Sequence, residues 1–146
     1  MWTEYPLNAT YYDIESQFML GGSMLVVPKS ITPTVAQDRD YEAPVRYILP
    51  EENQWYRYDN KTLESETGVW KDEVVGYLNH STWIKGGSVI PILEHDQCMA
   101  LLSCIENAVR LEIYVDQQLN WASGLLYVDD GESYDYQNSD DQSAII

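Results

Sequence analysis

Four acidic residues crowd one short stretch, Asp129, Asp130, Glu132 and Asp135, with Gly131 among them. Carboxylates so spaced could offer oxygen ligands to calcium, or one of them could act as a general acid. The order is wrong for an EF-hand loop, because the glycine follows two adjacent aspartates and no acid stands at the closing position. Acid/base work would need one carboxyl desolvated against an apolar wall, and these four fall in a polar turn. The stretch reads as an acidic hairpin turn, and no metal is assigned to it.

The remaining reactive types are as unpromising. His95 adjoins Asp96, but sequence neighbours seldom point at a common substrate, and the pair reads as a loop leading to a helix cap. Cys98 and Cys104, with His80 and His95, do not match a zinc spacing, and two cysteines are too few for a disulfide scaffold. Gly21-Gly22 and Gly86-Gly87 lack both the Lys-Ser/Thr of a phosphate-binding loop and the third glycine of a dinucleotide fingerprint, so they read as turns. Trp2, Trp55, Trp70, Trp83 and Trp121 are spread singly, which suits core packing better than a sugar-stacking platform. No catalytic, substrate-binding or metal-binding residue is assigned, and no cofactor. What does stand out is three Asn-x-Ser/Thr sequons, at Asn8, Asn60 and Asn79, among seven asparagines. They are candidate N-glycosylation sites and favour a secretory compartment.

Composition narrows the partners. Acidic residues outnumber Lys and Arg by 24 to 8, a formal charge of −16, which repels phosphate backbones and anionic lipid. Nucleic acid and membrane surfaces are therefore not expected partners. No apolar run approaches the ~20 residues of a membrane span. The first residues lack the basic and apolar regions of a signal peptide, which agrees with the sequons if the chain is a piece of a longer one.

The elements that would position these residues are mostly strands. Met24-Leu25-Val26-Val27, between a glycine pair and Pro28, reads as a strand buried on both faces within residues 23–29. Residues 2–6 are strand-like and stop at Pro6. Over residues 39–49, Tyr41, Val45, Tyr47 and Leu49 share one parity, and residues 54–58 alternate as in a half-buried antiparallel strand. Residues 68–75 and 82–93 supply further strands, with Gly86-Gly87 as a bend. Cys98, Leu101, Leu102 and Ile105 follow helical spacing, so a short helix is expected over residues 97–106. Residues 110–116 alternate, with Leu111, Ile113 and Val115 as the apolar face, and another strand is expected at 125–128. Short strands separated by turn signals at this spacing suggest a β-sandwich.

Taken in order, several stretches resemble the landmarks of glycoside hydrolase family 31. Trp2-Thr3-Glu4-Tyr5-Pro6, then Asp13-Ile14-Glu15-Ser16-Gln17-Phe18-Met19-Leu20-Gly21, then Leu25-Val26-Val27-Pro28 are similar to the segments that close that family's catalytic barrel. Trp55-Tyr56, Gly86-Gly87-Ser88-Val89-Ile90-Pro91 and Leu126-Tyr127-Val128-Asp129-Asp130-Gly131-Glu132-Ser133 resemble its later landmarks. Lys85 and Arg57 depart from the pattern, standing where the family usually has Arg and often has Asp. Within the family the series is most similar to the neutral α-glucosidases of the endoplasmic reticulum, which trim glucose from N-linked glycans.

The resemblance implies a mainly β chain: an antiparallel β-sandwich, preceded by the last strand of a (β/α)8 barrel and followed by the first strands of a distal β-domain. It divides the chain into the barrel end (residues 1–22), a proximal C-terminal sandwich (23–93), a connecting segment (94–108) and the start of the distal domain (109–146). It implies a retaining mechanism with two aspartates. Both lie on barrel loops before the eighth strand, so no residue of this sequence matches either, and the chain alone is expected to be inactive. Its implied partners are the catalytic barrel of the parent enzyme, carbohydrate reached only through that parent, and a regulatory subunit of the parent. The implied address is the lumen of the endoplasmic reticulum or the secretory pathway, and the loop at residues 5–16 is the segment expected nearest the substrate pocket. The alternative reading is a free-standing carbohydrate-binding β-sandwich.

Overall fold

A computed structural model describes residues 1–29, 42–76, 80–93 and 109–127, and the backbone of 143–145. The chain divides into two compact units, Met1–Gly86 and Gly87–Ile146. Among the described residues the architecture is strands in antiparallel pairs with one short 3-10 turn, as the mainly β expectation required.

In the first unit, β1 (Phe18–Leu20), β2 (Met24–Val27), β4 (Trp55–Arg57) and β6 (Ser81–Lys85) form one sheet in the order β1-β2-β6-β4. The β1-β2 hairpin turns at Gly21-Gly22-Ser23, where Gly21 has φ 61°, a conformation that glycine adopts without the usual steric cost. β3 (Ala43–Ile48) and β5 (Trp70–Val75) pair over six residues as a second sheet. Leu25, Val27, Trp55 and Trp83 from the first sheet meet Val45, Tyr47, Ile48 and Val75 from the second in one buried cluster. Two antiparallel layers that share a core are a sandwich.

A polar clip joins the layers. Glu73 on β5 receives the Arg57 guanidinium from β4, and its other oxygen accepts the Ser81 hydroxyl from β6 at 3.0 Å. Ser81 Oγ in turn accepts from Trp83 Nε1 at 3.1 Å, and Arg57 lies 5.3 Å over the Trp83 ring. Tied in this way, a charge at the layer junction has its hydrogen bonds satisfied.

β2 departs from the expectation of burial on both faces. Leu25 and Val27 are buried, but Met24 and Val26 are only partly covered, because the second layer lies on one side of the sheet. Residues 2–6, expected as a barrel strand, form turns. The Glu4 and Tyr5 N–H groups both donate to the Met1 carbonyl at 3.1 Å, and Asn8 donates to that of Tyr5 at 3.2 Å. With no strand beside it among the described residues, this backbone satisfies its hydrogen bonds locally.

In the second unit, β7 (Ser88–Leu93) pairs with β8 (Val109–Tyr114) over six residues, and β9 (Leu125–Tyr127) with β10 (Ser143–Ile145). The residues at 88–93, expected to close the proximal sandwich, thus take their partners from 109–114. The alternation expected for β8 is reversed in its burial. Ile113 is 62% exposed and Leu111 is exposed, while Tyr114 is buried and donates to Glu112 Oε2 at 2.7 Å. Among the described residues no third strand joins this pair to cover the Leu111 and Ile113 face. The expected helix at 97–106, with Cys98 and Cys104, lies outside the described residues, as do His95, the acidic cluster at 129–135 and Asn79.

Candidate functional site

The segment at residues 1–16 carries the most distinctive arrangement of polar and aromatic side chains. Asn8 caps the 3-10 turn Ala9–Tyr11, its Oδ1 accepting the Thr10 N–H at 3.1 Å. The turn drives Tyr11 into the sandwich core, where its ring meets that of Tyr5 edge-on at 5.4 Å. The hydroxyls then reach residues just before β4: Tyr5 donates to Asn53 Oδ1 at 2.8 Å and Tyr11 to Glu52 Oε2 at 3.2 Å. Glu52 Oε1 accepts from Asn8 Nδ2 at 2.9 Å, so one carboxylate holds both ends of the turn.

This setting moves the phenol pKa values. Burial pushes Tyr11 up to about 12, against the pull of the hydrogen bond its oxygen accepts from the Glu51 N–H and with help from the Glu52 charge. Burial, then the charge of Glu52, also raises Tyr5. Both phenols are therefore neutral donors at physiological pH.

Beneath the segment, Gln17 is 2% exposed. Its Oε1 accepts the Ile48 N–H and its Nε2 donates to the Ile48 carbonyl, both at 2.8 Å, while Nε2 also lies 3.6 Å from Met1 Sδ. The outward side sets apolar side chains among exposed Thr3, Glu4, Thr10 and Asp13. Trp2, Pro6 and Tyr12 line a groove of about 400 Å³, and the Tyr12 hydroxyl donates to the Pro6 carbonyl. Trp2 is 63% exposed and Leu7 99%.

The arrangement can bind and position. Elsewhere in the first unit one carboxylate departs from its ordinary value, and not in the direction a general acid needs. A general acid needs a raised carboxyl pKa. Glu64 is moved the other way: burial alone would raise it, but hydrogen bonds from Lys71 and from the Glu66 and Ser65 N–H groups outweigh burial and hold it low. Among the described residues no group of three His, Cys, Asp or Glu could hold a metal ion.

The sequence candidates fall apart in space. Gly21-Gly22 and Gly86-Gly87 are turns, and Trp55 and Trp83 are buried in the core. Asn8 and Asn60 are both described, and only Asn8 belongs to the segment above. Sequence reasoning missed Gln17 and Glu52 as its anchors. The one available signal was a polar residue, Gln17, directly ahead of an apolar strand.

These features sit in a recognisable lineage. The model of the glycosyl hydrolase family 31 C-terminal domain matches residues 1–90, and the chain belongs to that family. It is 30% identical over 138 residues to an alpha-glucosidase of Schizosaccharomyces pombe, covering 91% of this chain and 13% of that protein. Neutral alpha-glucosidase AB of Mus musculus is 25% identical over 142 residues, covering 94% of this chain and 14% of the mouse protein. The fold matches the crystal structure of the ER glucosidase II heterodimeric complex, of catalytic subunit and the binding domain of regulatory subunit, with a TM-score of 0.75 at 21% identity. That match covers 99% of this chain and 14% of the other. The chain thus spans only 13% and 14% of the two curated relatives.

Proposed function

We propose that this chain is a C-terminal accessory portion of a retaining α-glucosidase, one that buttresses the catalytic barrel of its parent and has no complete active site of its own. In this reading residues 1–22 are the end of the barrel, 23–93 the proximal sandwich, 94–108 a connector and 109–146 the start of a distal domain. The parent trims glucose from N-linked glycans in the lumen of the endoplasmic reticulum and works with a regulatory subunit.

The observation that carries this reading is the two-sidedness of residues 1–16. Tyr5, Tyr11 and Gln17 fix the segment from below, yet it presents Trp2 and a fully exposed Leu7 outward. An ordered backbone that offers apolar side chains to water is a surface shaped for a partner. Capture of the chain by a separately produced family 31 barrel tests it. Binding that is lost in Leu7→Asp supports the buttress, and equal capture of the wild type and Leu7→Asp contradicts it.

The groove between Trp2 and Tyr12 favours a second reading, the free-standing carbohydrate-binding sandwich. That reading requires saturable heat on titration with malto-oligosaccharide, lost in Trp2→Ala. No heat with the wild-type chain removes it.

A further inference from the structure

Asn8 and Asn60 carry the same Asn-x-Thr motif, but the fold treats their amides differently. Asn60 stands in the connection that leaves β4, among the exposed residues Asp59, Lys61 and Thr62. The Arg57 N–H donates to the Thr62 carbonyl at 2.8 Å and the Lys61 N–H to the Arg57 carbonyl at 2.9 Å, with Lys61 in the left-handed region at φ 60°. Asn60 Oδ1 faces into this turn, accepting the Thr62 N–H at 3.1 Å and the Thr62 hydroxyl at 2.7 Å. The carboxamide is planar, so Nδ2 faces away from the turn, and among the described residues no hydrogen bond holds it.

Asn8 shares the inward Oδ1 but not the outward nitrogen. Its Nδ2 donates to Glu52 Oε1, the carboxylate whose other oxygen takes the Tyr11 hydroxyl. A sugar on that nitrogen would be set beside Glu52, where the turn is anchored 44 residues along the chain. A sugar on Asn60 would extend from a hairpin tip into solvent.

We propose that in the folded chain Asn60 is the acceptor of an N-linked glycan and Asn8 stays unmodified. The bond formed joins Asn60 Nδ2 to C1 of a lipid-pyrophosphate-linked oligosaccharide. The C1–O bond to the pyrophosphate breaks, and one Nδ2 proton is released. The Asn60 oxygen and the Thr62 hydroxyl are already paired, so the motif enters the reaction with its side chains in register. This rests on the luminal address proposed above.

The test supplies that address artificially, so that the two ideas fail separately. The whole chain, with a cleavable signal sequence and Asn79→Gln to remove the third sequon, is produced in a secretory host. Glycosidase-sensitive mobility and peptide mapping are then read on the soluble, folded fraction. One glycan is expected, on Asn60, lost in Asn60→Gln and in Thr62→Ala and kept in Asn8→Gln. A bare Asn60, or a glycan on Asn8 in the folded fraction, overturns the inference. The native address is read independently, by fractionating the source cells.

Discussion

Gln17 stands to Ile48 as a neighbouring strand's peptide group would: its amide oxygen takes the Ile48 N–H and its amide nitrogen gives to the Ile48 carbonyl, each at 2.8 Å. β5 pairs the other side of β3, so this side chain, with the Ser16 hydroxyl donating to the Arg46 carbonyl at 3.1 Å, caps the strand edge that β5 leaves. It also pins the start of β1 to the sandwich core, and with it the segment that leads there from Met1.

Removing that surrogate peptide leaves buried backbone groups without partners. Gln17→Ala is expected to destabilise the chain by about 1–3 kcal/mol for each orphaned group. Gln17→Glu is also expected to lose stability, because a carboxylate cannot donate to the Ile48 carbonyl. Urea unfolding midpoints check this. Wild-type midpoints for both variants would show that the pairing contributes nothing.

The two ends of the tryptophan distribution should behave oppositely. Trp55 is fully buried and its Nε1 donates to the Pro50 carbonyl at 2.9 Å, so Trp55→Ala is expected to cost about 3–5 kcal/mol. Trp2→Ala is expected to stay within about 0.5 kcal/mol in the chain alone. Thermal unfolding of the two variants decides it, and a large loss at Trp2 would mean that its ring packs as core.

Alkaline pH should loosen the core. Burial, with the nearby Glu73 and Glu52 charges, raises Tyr47 and Tyr11 from 10 to about 12 in the folded chain. Their neutral forms are favoured by folding, so the stability they add is complete below pH 10 and is lost as pH rises toward 12. Phenolate absorbance and circular dichroism, followed together, should show these two tyrosines ionising with unfolding. Ionisation of all the tyrosines near pH 10 with the fold intact would contradict this.

Gly124 has no room for a side chain. A β-carbon there would overlap the Val89 carbonyl oxygen and lie 3.0 Å from Val89 Cβ. Gly124→Ala is therefore expected to displace the bond from the Val89 N–H to the Ser123 carbonyl, now 2.9 Å. Amide exchange at Val89 should accelerate markedly, and unchanged protection would show that the strand shifts without cost.

Much of the first unit was legible because local chemistry and tertiary environment agree there. The glycine pair and Pro28 bracket β2, and the shared parity of Val45 and Tyr47 matches the buried side of β3. β8 misled because alternation reports which residues share a face, not which face is covered: Leu111 and Ile113 share one, and it is exposed. Residues 2–6 misled because strand propensity counts only when another strand supplies hydrogen bonds. The anchoring site was illegible for a different reason. Gln17 finds its partner 31 residues away and Asn8 finds Glu52 44 residues away, and no local pattern encodes either meeting.

The exposed face of β8 should also govern solution behaviour. Leu111 and Ile113 on β8 offer an exposed apolar surface, so the chain alone is expected to self-associate with rising concentration. Ile113→Lys should lower light scattering at equal concentration. A wild-type chain that stays monomeric at high concentration would contradict this.

The central proposal, a glycosidase portion without its own chemistry, is tested most directly by incubating the purified chain with a chromogenic α-glucoside. Release no faster than in buffer is expected. Turnover that disappears on substitution of a single Asp or Glu of this chain would contradict the proposal outright.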